Sequence, residues 1–381
     1  MRSFFEIFAI KLIIRDLKLK RIIFFVLFML SANVANANFY ESSHSVENLQ
    51  SVLDTFDIDT SYQIDTTFFT QHYERTLGDR WEYFVDSYER GYEYIPILRQ
   101  MLSDAGVPQE FLYLAMVESR FSTRAYSRKK AVGIWQIMPS TAKMLKLRID
   151  DFIDERRDPI KSTEAAINYL KQLKNSIGKW YLAAMAYNCG IGRLRKAIKE
   201  AGSDDINVLM DFIPKETQNY IRSILSINVA FSNVGDLKSQ NKEHFLNRGS
   251  TVTLASVKIP AGTDLGSISR GAGMKIDDLK SYNRQFKYGF LPPSGSEYDV
   301  YLPYQNLLSF KKNFKPQKAD LSKFYITYRV QKGDSLYGIS RRYNVSIDTI
   351  KNTNNLKKTK IAINQKLMIP LKNQKQFAYK R

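Results

Sequence analysis

Glu118 is the side chain in this 381-residue sequence best placed to do acid chemistry. It closes the run Phe111-Leu-Tyr-Leu-Ala-Met-Val-Glu118-Ser119, which is apolar on most sides and should be a buried helix. A carboxyl at the C-terminal end of such a helix meets partial desolvation and the negative end of the helix dipole. Both disfavour the anion and raise the pKa. Arg120 and Arg124, if close, would act the other way. A carboxyl raised in this way still holds its proton near neutrality, as acid-assisted cleavage of a glycosidic bond requires. Read alone, the commoner role for such a residue is a surface or salt-bridged one.

Three further constellations accompany it. Gly133-Ile-Trp-Gln136-Ile-Met138-Pro139 mixes amide and backbone hydrogen-bonding groups with the apolar surface of Trp135 and Met138, and sugars have polar rims and apolar faces. The plainer reading is a buried helix start with Trp135 in the core. Ala186-Tyr187-Asn188-Cys189-Gly190 puts a phenol and an amide at a helix end, although Asn and Gly are also favoured there simply as caps. Pro214-Lys-Glu216-Thr-Gln-Asn-Tyr220 sets an acid and a phenol in the first turns of a helix, where Glu216 also suits the dipole.

The elements that must position these groups are helical over residues 38 to about 235. Val46–Phe56 has helical apolar spacing, Arg80–Arg90 is rich in aromatic residues, and Pro96–Ala105 forms a short amphipathic turn set closed by Gly106. Asp158-Pro159 supplies an N-cap and a proline at the first helical position, opening a helix to about Asn175. Gly178 breaks it, Lys179–Asn188 resumes, and Gly190 and Gly192 punctuate before Arg193–Ala201. Pro214 starts the last helix, which runs to about Ser232.

After a polar stretch at Gly235–Ser250, two segments repeat at an offset of 71, with nine identities in 22 positions between 262–283 and 333–354. Each copy reads strand, glycine turn, two short helices, then a strand ending in Leu-Pro303 or Ile-Pro370. A unit of this kind is near the lower size limit for independent stability. The lysine-rich Lys311–Lys323 between the copies reads as a solvated linker.

Charge and cysteine content narrow the function. Of a net charge of +19, residues 38–240 carry 25 basic and 27 acidic side chains, whereas residues 241–381 carry 26 and nine. The basic character therefore belongs to the C-terminal part and suggests an anionic partner for it. Cys189 is alone, so intrachain disulfides and multi-cysteine zinc sites are excluded, and His44, His72 and His244 lack metal-ligand spacing. No metal or other cofactor is indicated. At the N-terminus, the basic Lys18-Leu-Lys20-Arg21, the apolar Ile22–Leu30 and Ala35-Asn36-Ala37 read as an export signal over residues 1–37. If uncut, it would attach the chain to a membrane. No cysteine lies near the cut, which argues against a lipoprotein anchor.

The order ES, GIWQIMPSTA, AYNCG, ETQNYI over roughly residues 70–235 resembles the catalytic domain of family 1 lytic transglycosylases. It is closest to the membrane-bound lytic murein transglycosylase D group, which adds LysM modules. The resemblance implies a multidomain protein, with an all-α lysozyme-like (SLT) catalytic domain followed by small α+β (βααβ) LysM-type modules. The expected boundaries are a helical N-terminal extension at 38–95, the catalytic domain at 96–235, a degenerate LysM-like module at 251–303, a basic linker at 304–324 and a LysM domain at 325–371. Carried over residue by residue, it implies Glu118 as the sole acid/base, with Ser127, Gln136, Met138, Tyr187, Asn188, Glu216 and Tyr220 binding substrate. In the last module it implies glycan contacts from Gly333, Asp334, Ser335 and Leu336 and from Asn354, Asn355 and Leu356. The implied partner is peptidoglycan glycan, not nucleic acid. The implied reaction closes a 1,6-anhydro ring on N-acetylmuramic acid. A hydrolytic muramidase on the same fold and a non-catalytic wall-binding protein are the rival readings. This chain departs from the pattern at Lys130, where many members have Gly, at Cys189 for Ala, and at Asn364 for Gly, a position where Asn tolerates left-handed geometry.

Overall fold

The computed structural model describes residues 49–58, 74–76, 78–232, 254–320 and 324–371, with the single positions 237 and 241. The export segment at 1–37, and the polar stretch 235–250 apart from those two positions, lie outside the described residues. So do the three histidines.

The first part is helical. It comprises a helical segment at 49–55 and helices α1 (Trp81–Gly91), α2 (Ile95–Asp104), α3 (Leu112–Ser119), α4 (Pro139–Met144), α5 (Pro159–Ile177), α6 (Trp180–Cys189), α7 (Ile191–Ala201), α8 (Ile206–Leu209) and α9 (Lys215–Ser232). Asp158 caps α5 as its sequence predicts, its carboxylate accepting from the backbone N–H groups of Ile160 and Lys161. Two boundaries differ from expectation. The run leading to Glu118 begins as a 3-10 turn at Gln109–Phe111 and becomes α-helical only at Leu112. Only Gly190, at φ 86°, separates α6 from α7, while Gly192 lies inside α7. One left-handed residue is enough to redirect a chain, so the second glycine need not break the helix.

α3 is the buried centre of this part. Leu112, Leu114, Ala115 and Met116 have no exposed surface, and each large side chain contributes roughly 1.5–3 kcal/mol by leaving water. The same core takes in Val52, Leu53 and Phe56, and Trp81 and Tyr88 pack against Phe231 of α9 with ring centroids 5.5 and 5.2 Å away. The core thus does not divide at residue 95.

Two small βααβ units follow, as the repeat predicts. The first is β1 (Leu254–Pro260), α10 (Leu265–Ala272), α11 (Ile276–Tyr282) and β2 (Glu297–Pro303). β1 and β2 are antiparallel, with Val257 opposite Val300. The described residues 304–320 are not wholly the solvated linker expected of the lysines there. A 3-10 turn at Tyr304–Asn306 leads into α12 (Leu307–Asn313), which seats Phe310 in the core of the first unit, with Phe314 just after it packed against that core. The apolar residues here lie at helical spacing between the lysines, so one face is buried while the charged face stays wet. The second unit is β3 (Tyr325–Arg329), α13 (Leu336–Tyr343), α14 (Ile347–Thr353) and β4 (Lys366–Pro370), with β3 and β4 again antiparallel. Asn364, at φ 66°, keeps the left-handed turn before β4.

Candidate active site

Glu118 sits in the last turn of α3, half-exposed at its own surface but densely surrounded by protein. Burial pushes its pKa up to about 7. The hydrogen bond from Tyr220 works against that rise, and the nearby charge of Glu216 adds to it. The phenol of Tyr220 donates to Glu118 Oε1 at 2.7 Å, across 102 residues of sequence. Arg120 does not moderate the acid. It ends α3 in the left-handed region and turns away, its Nε donating to the Ser87 hydroxyl at 3.0 Å and its guanidinium lying over the Tyr83 ring.

Four hydrogen bonds join the segments around this carboxyl. Besides Tyr220 to Glu118, the Ser119 hydroxyl donates to Ile134 O at 2.7 Å, the Tyr187 phenol donates to Trp135 O at 2.7 Å, and Thr217 Oγ1 donates to Asn188 Oδ1 at 2.8 Å. The end of α3, the 133–136 turn, the end of α6 and the start of α9 are therefore tied into one constellation. Tyr187 is close enough to Glu118 that the carboxylate charge, after burial, helps hold its pKa well above the usual phenol value. Glu216 is exposed beside it on α9.

Trp135 is not the apolar sugar surface its motif suggested. It is fully buried, its indole donating to Thr163 Oγ1 at 2.7 Å, and it faces the site only through its carbonyl. The plainer reading of that tryptophan was the correct one, yet no helix starts there. Residues 126–137 form a compact turn with isolated bridges Tyr126–Val132 and Val132–Ile137. Gln136 adopts φ 46°, uncommon for a residue with a Cβ, and its amide closes the turn by donating to Gly133 O at 2.9 Å. Gly133 is required at φ 82°, since a Cβ there would lie 1.9 Å from Arg156 O. Met138 is 37% exposed at the start of α4, free to offer apolar surface. Ser127 closes the loop before it, its hydroxyl accepting from Ala131 N at 3.0 Å. Lys130 holds the left-handed turn at φ 67° where a glycine was expected, with its N–H on Ser127 O at 2.9 Å.

Sequence reading missed two contributors. Thr217, one turn before Tyr220, orients the Asn188 amide, and its signal was that same-face spacing within the last motif. The other is the buried pair Asp154–Arg156, at 5% and 6% exposure, with Arg156 Nη1 donating to the carbonyls of Lys130 at 2.9 Å and Ile137 at 3.2 Å. No grouping of His, Cys, Asp and Glu suited to a metal occurs among the described residues.

In the second unit, Gly333 makes the turn at φ 89°, and the Asp334 carboxylate takes the Tyr328 phenol at 2.6 Å and Gln331 N at 2.8 Å. Ser335 caps α13, Leu336 is a core residue, and Leu356 packs at the core's edge. Asn354 is a strut. Its Nδ2 donates to Ile350 O and Met368 O, both at 2.8 Å, and its Oδ1 accepts from Met368 N at 2.7 Å, which commits the amide to joining α14 to β4. Asn355, at φ 53°, is exposed and reaches Gly295 N of the first unit at 3.4 Å.

The chain matches the Transglycosylase SLT domain over residues 96–210, the Lytic transglycosylase MltD LysM-like domain over 253–319 and the LysM domain over 328–370. Membrane-bound lytic murein transglycosylase D of Escherichia coli strain K12 is 28% identical over 303 residues, 75% of this chain and 65% of that protein. This chain thus spans less than two thirds of that relative's length. Peptidoglycan transglycosylase gp16 of Escherichia phage T7 is 35% identical over 153 residues, 38% of this chain and 11% of that one. The solved 70 kDa soluble lytic transglycosylase of Escherichia coli aligns with 36% of this chain and 24% of its own, at 25% identity and a TM-score of 0.31. Residues 96–210, which carry Glu118, are accordingly a transglycosylase SLT domain, followed by an MltD-type LysM-like domain and a LysM domain.

Proposed function

We propose that the chain is an exported peptidoglycan lytic transglycosylase that cleaves the β-1,4 bond between N-acetylmuramic acid and N-acetylglucosamine. The observation that carries this reading is Glu118, held near pKa 7 by burial and bonded to Tyr220, within a wall built from the 133–138 turn, Tyr187 and Asn188. A carboxyl poised near neutrality can both give and accept a proton. The protonated Glu118 donates to the bridging oxygen, and the C1–O bond breaks, releasing that oxygen as a hydroxyl. The developing positive charge at C1 is stabilised by the substrate's own acetamido group. Glu118, now a carboxylate with Tyr220 as a donor, takes the proton of the muramyl C6 hydroxyl while O6 bonds to C1. The 1,6-anhydro ring closes, no water is consumed, and Glu118 is protonated again. One carboxyl is enough because substrate groups do what a second carboxylate does in most glycosidases.

Gln136, Met138, Asn188, Glu216 and Ser127 line or support the glycan groove, and the last module holds the enzyme on wall glycan through the surface around Gly333–Ser335 and Asn355. The site of action is the cell envelope, in keeping with the membrane-bound name of the Escherichia coli relative. No described helix is long and apolar enough to cross a membrane. Purified sacculi digested with the full chain should release anhydromuropeptides, lighter by one water than the products of hydrolysis, and Glu118→Gln should lower release by at least 1,000-fold. Products with reducing ends would make the enzyme a muramidase. Retained activity in Glu118→Gln would remove Glu118 from the mechanism.

A further inference from the structure

The segment 148–158 stands between the SLT domain's groove and the first C-terminal module, and it is bonded to both. On the module side, Asp154 N donates to Gln285 O at 2.9 Å, Lys287 N donates to Phe152 O at 2.9 Å, and Ile153 bridges Phe286. Arg148 reaches the Tyr298 phenol at 2.7 Å and the Ser294 hydroxyl at 3.2 Å, and the Tyr301 phenol donates to Asp158 at 3.0 Å. On the groove side, the Asp154 carboxylate holds Arg156 through Nε and Nη2, both at 2.9 Å. That fixes Nη1 on Lys130 O and Ile137 O, the two ends of the stretch that carries Gly133, Trp135 and Gln136.

The first module is also closed where its sister opens. Its Gly262–Leu265 loop corresponds to Gly333–Leu336. Here Gly262 N donates to Pro292 O, Asp264 N to Gln317 O and Leu265 N to Gly289 O, while Thr263 is only 1% exposed. Gly289, Pro292 of the inserted Leu291–Gly295 and Gln317 after α12 have taken up the backbone groups that such a loop would offer a ligand. Burying a cation costs much unless its donors are satisfied, and Arg156 is satisfied only with the loop carbonyls in place. Its planar fork also fixes direction better than a lysine could.

We propose that Arg156 is a positioning residue for the glycan groove and that the first module holds it in place, as a brace for the SLT domain and not as a glycan reader. This rests on the proposed function for its kinetic consequence but not for its structural one, so two readouts separate them. In the full chain, amide hydrogen exchange of residues 127–138 should quicken at least tenfold in Arg156→Lys, in the paired Asp154→Asn/Arg156→Met, and in Phe286→Ala on the module side. Peptides from α3 and α9 should stay as protected as before. With soluble glycan strands as substrate, KM should rise at least threefold with kcat kept within twofold, since a displaced wall weakens binding while Glu118 and Tyr220 stay put. Unchanged protection of 127–138 in the Arg156 variants would overturn the positioning role. Unchanged protection in Phe286→Ala would overturn the brace. Equal loosening of α3 and α9 would reduce Arg156 to a general fold contact, which also overturns the proposal. A wild-type chain without turnover would sink the proposed function and leave the exchange result standing.

Discussion

At the scale of single residues, the proposed mechanism makes Glu118 and Tyr220 the unit that sets the working pH. Burial alone would keep the carboxyl protonated, and the Tyr220 phenol stabilises the anion and pulls the pKa back towards 7. The proposed acid form is present below that value, so kcat/KM should be flat towards mildly acidic pH and fall tenfold per unit above about 7. Removing the donor in Tyr220→Phe takes support from the anion, which can only raise the pKa. A net charge-assisted bond of roughly 1.5 kcal/mol corresponds to about one unit, so the descending limb should move up by about that much. A pH–rate profile on soluble glycan strands tests it, and an unmoved or lowered limb would mean that Tyr220 does not act through Glu118. The buried setting of Glu118 was legible because a single acid closes an apolar helix. The bond to Tyr220 was legible only as membership in an ordered set of motifs, since no spacing relates positions 102 residues apart.

At the scale of elements, the sequence was most readable where local chemistry decides the structure. Asp158-Pro159 opening α5, Gly190 turning α6 into α7, and the βααβ order of both modules follow from caps, glycines and periodicity. Identity between the two modules was harder to read. The resemblance places Asn354 among the glycan contacts, yet Asn283, its counterpart in the closed module, makes the same bonds to Leu279 O, Tyr301 O and Tyr301 N. A residue kept in a copy whose ligand loop is closed serves the fold, and that was the available signal. Asn354→Ala should therefore cost the second module roughly 2 kcal/mol from lost internal bonds. Thermal melts should show that module unfolding several degrees earlier, while chitin-oligomer binding by the still-folded protein at low temperature stays within twofold. Lost affinity without a shift in melting would make Asn354 a sugar contact after all.

At the scale of the whole molecule, the sequence predicts two modules joined by a solvated linker in the basic C-terminal part, but aromatic packing makes that part an assembly. Phe152, from the SLT domain, stacks on Tyr325 at 5.4 Å and 11°, and meets Tyr288 and Phe290 of the first module at 5.4 and 6.4 Å. Asn352 of the second module reaches Asp150 nearby at 3.4 Å. These contacts were illegible because each joins residues more than a hundred positions apart, and because charged residues such as Arg148 and Asp150 read in sequence as surface. Tyr325 begins the second module, so the Phe152 ring is the point through which all three parts meet. Truncating a buried aromatic of this kind costs roughly 3–5 kcal/mol. The loss here falls on the junction and not on any one core, since each module keeps its own apolar cluster. Phe152→Ala should therefore free the second module while leaving every part folded. Calorimetry should resolve its unfolding as a separate, earlier transition, and small-angle scattering should show a larger radius of gyration. The second module must then act as a tethered glycan anchor, so attachment to sacculi should persist at high salt, where binding by charge alone is screened. A variant with unchanged scattering and one undivided transition would show that the junction does not depend on Phe152.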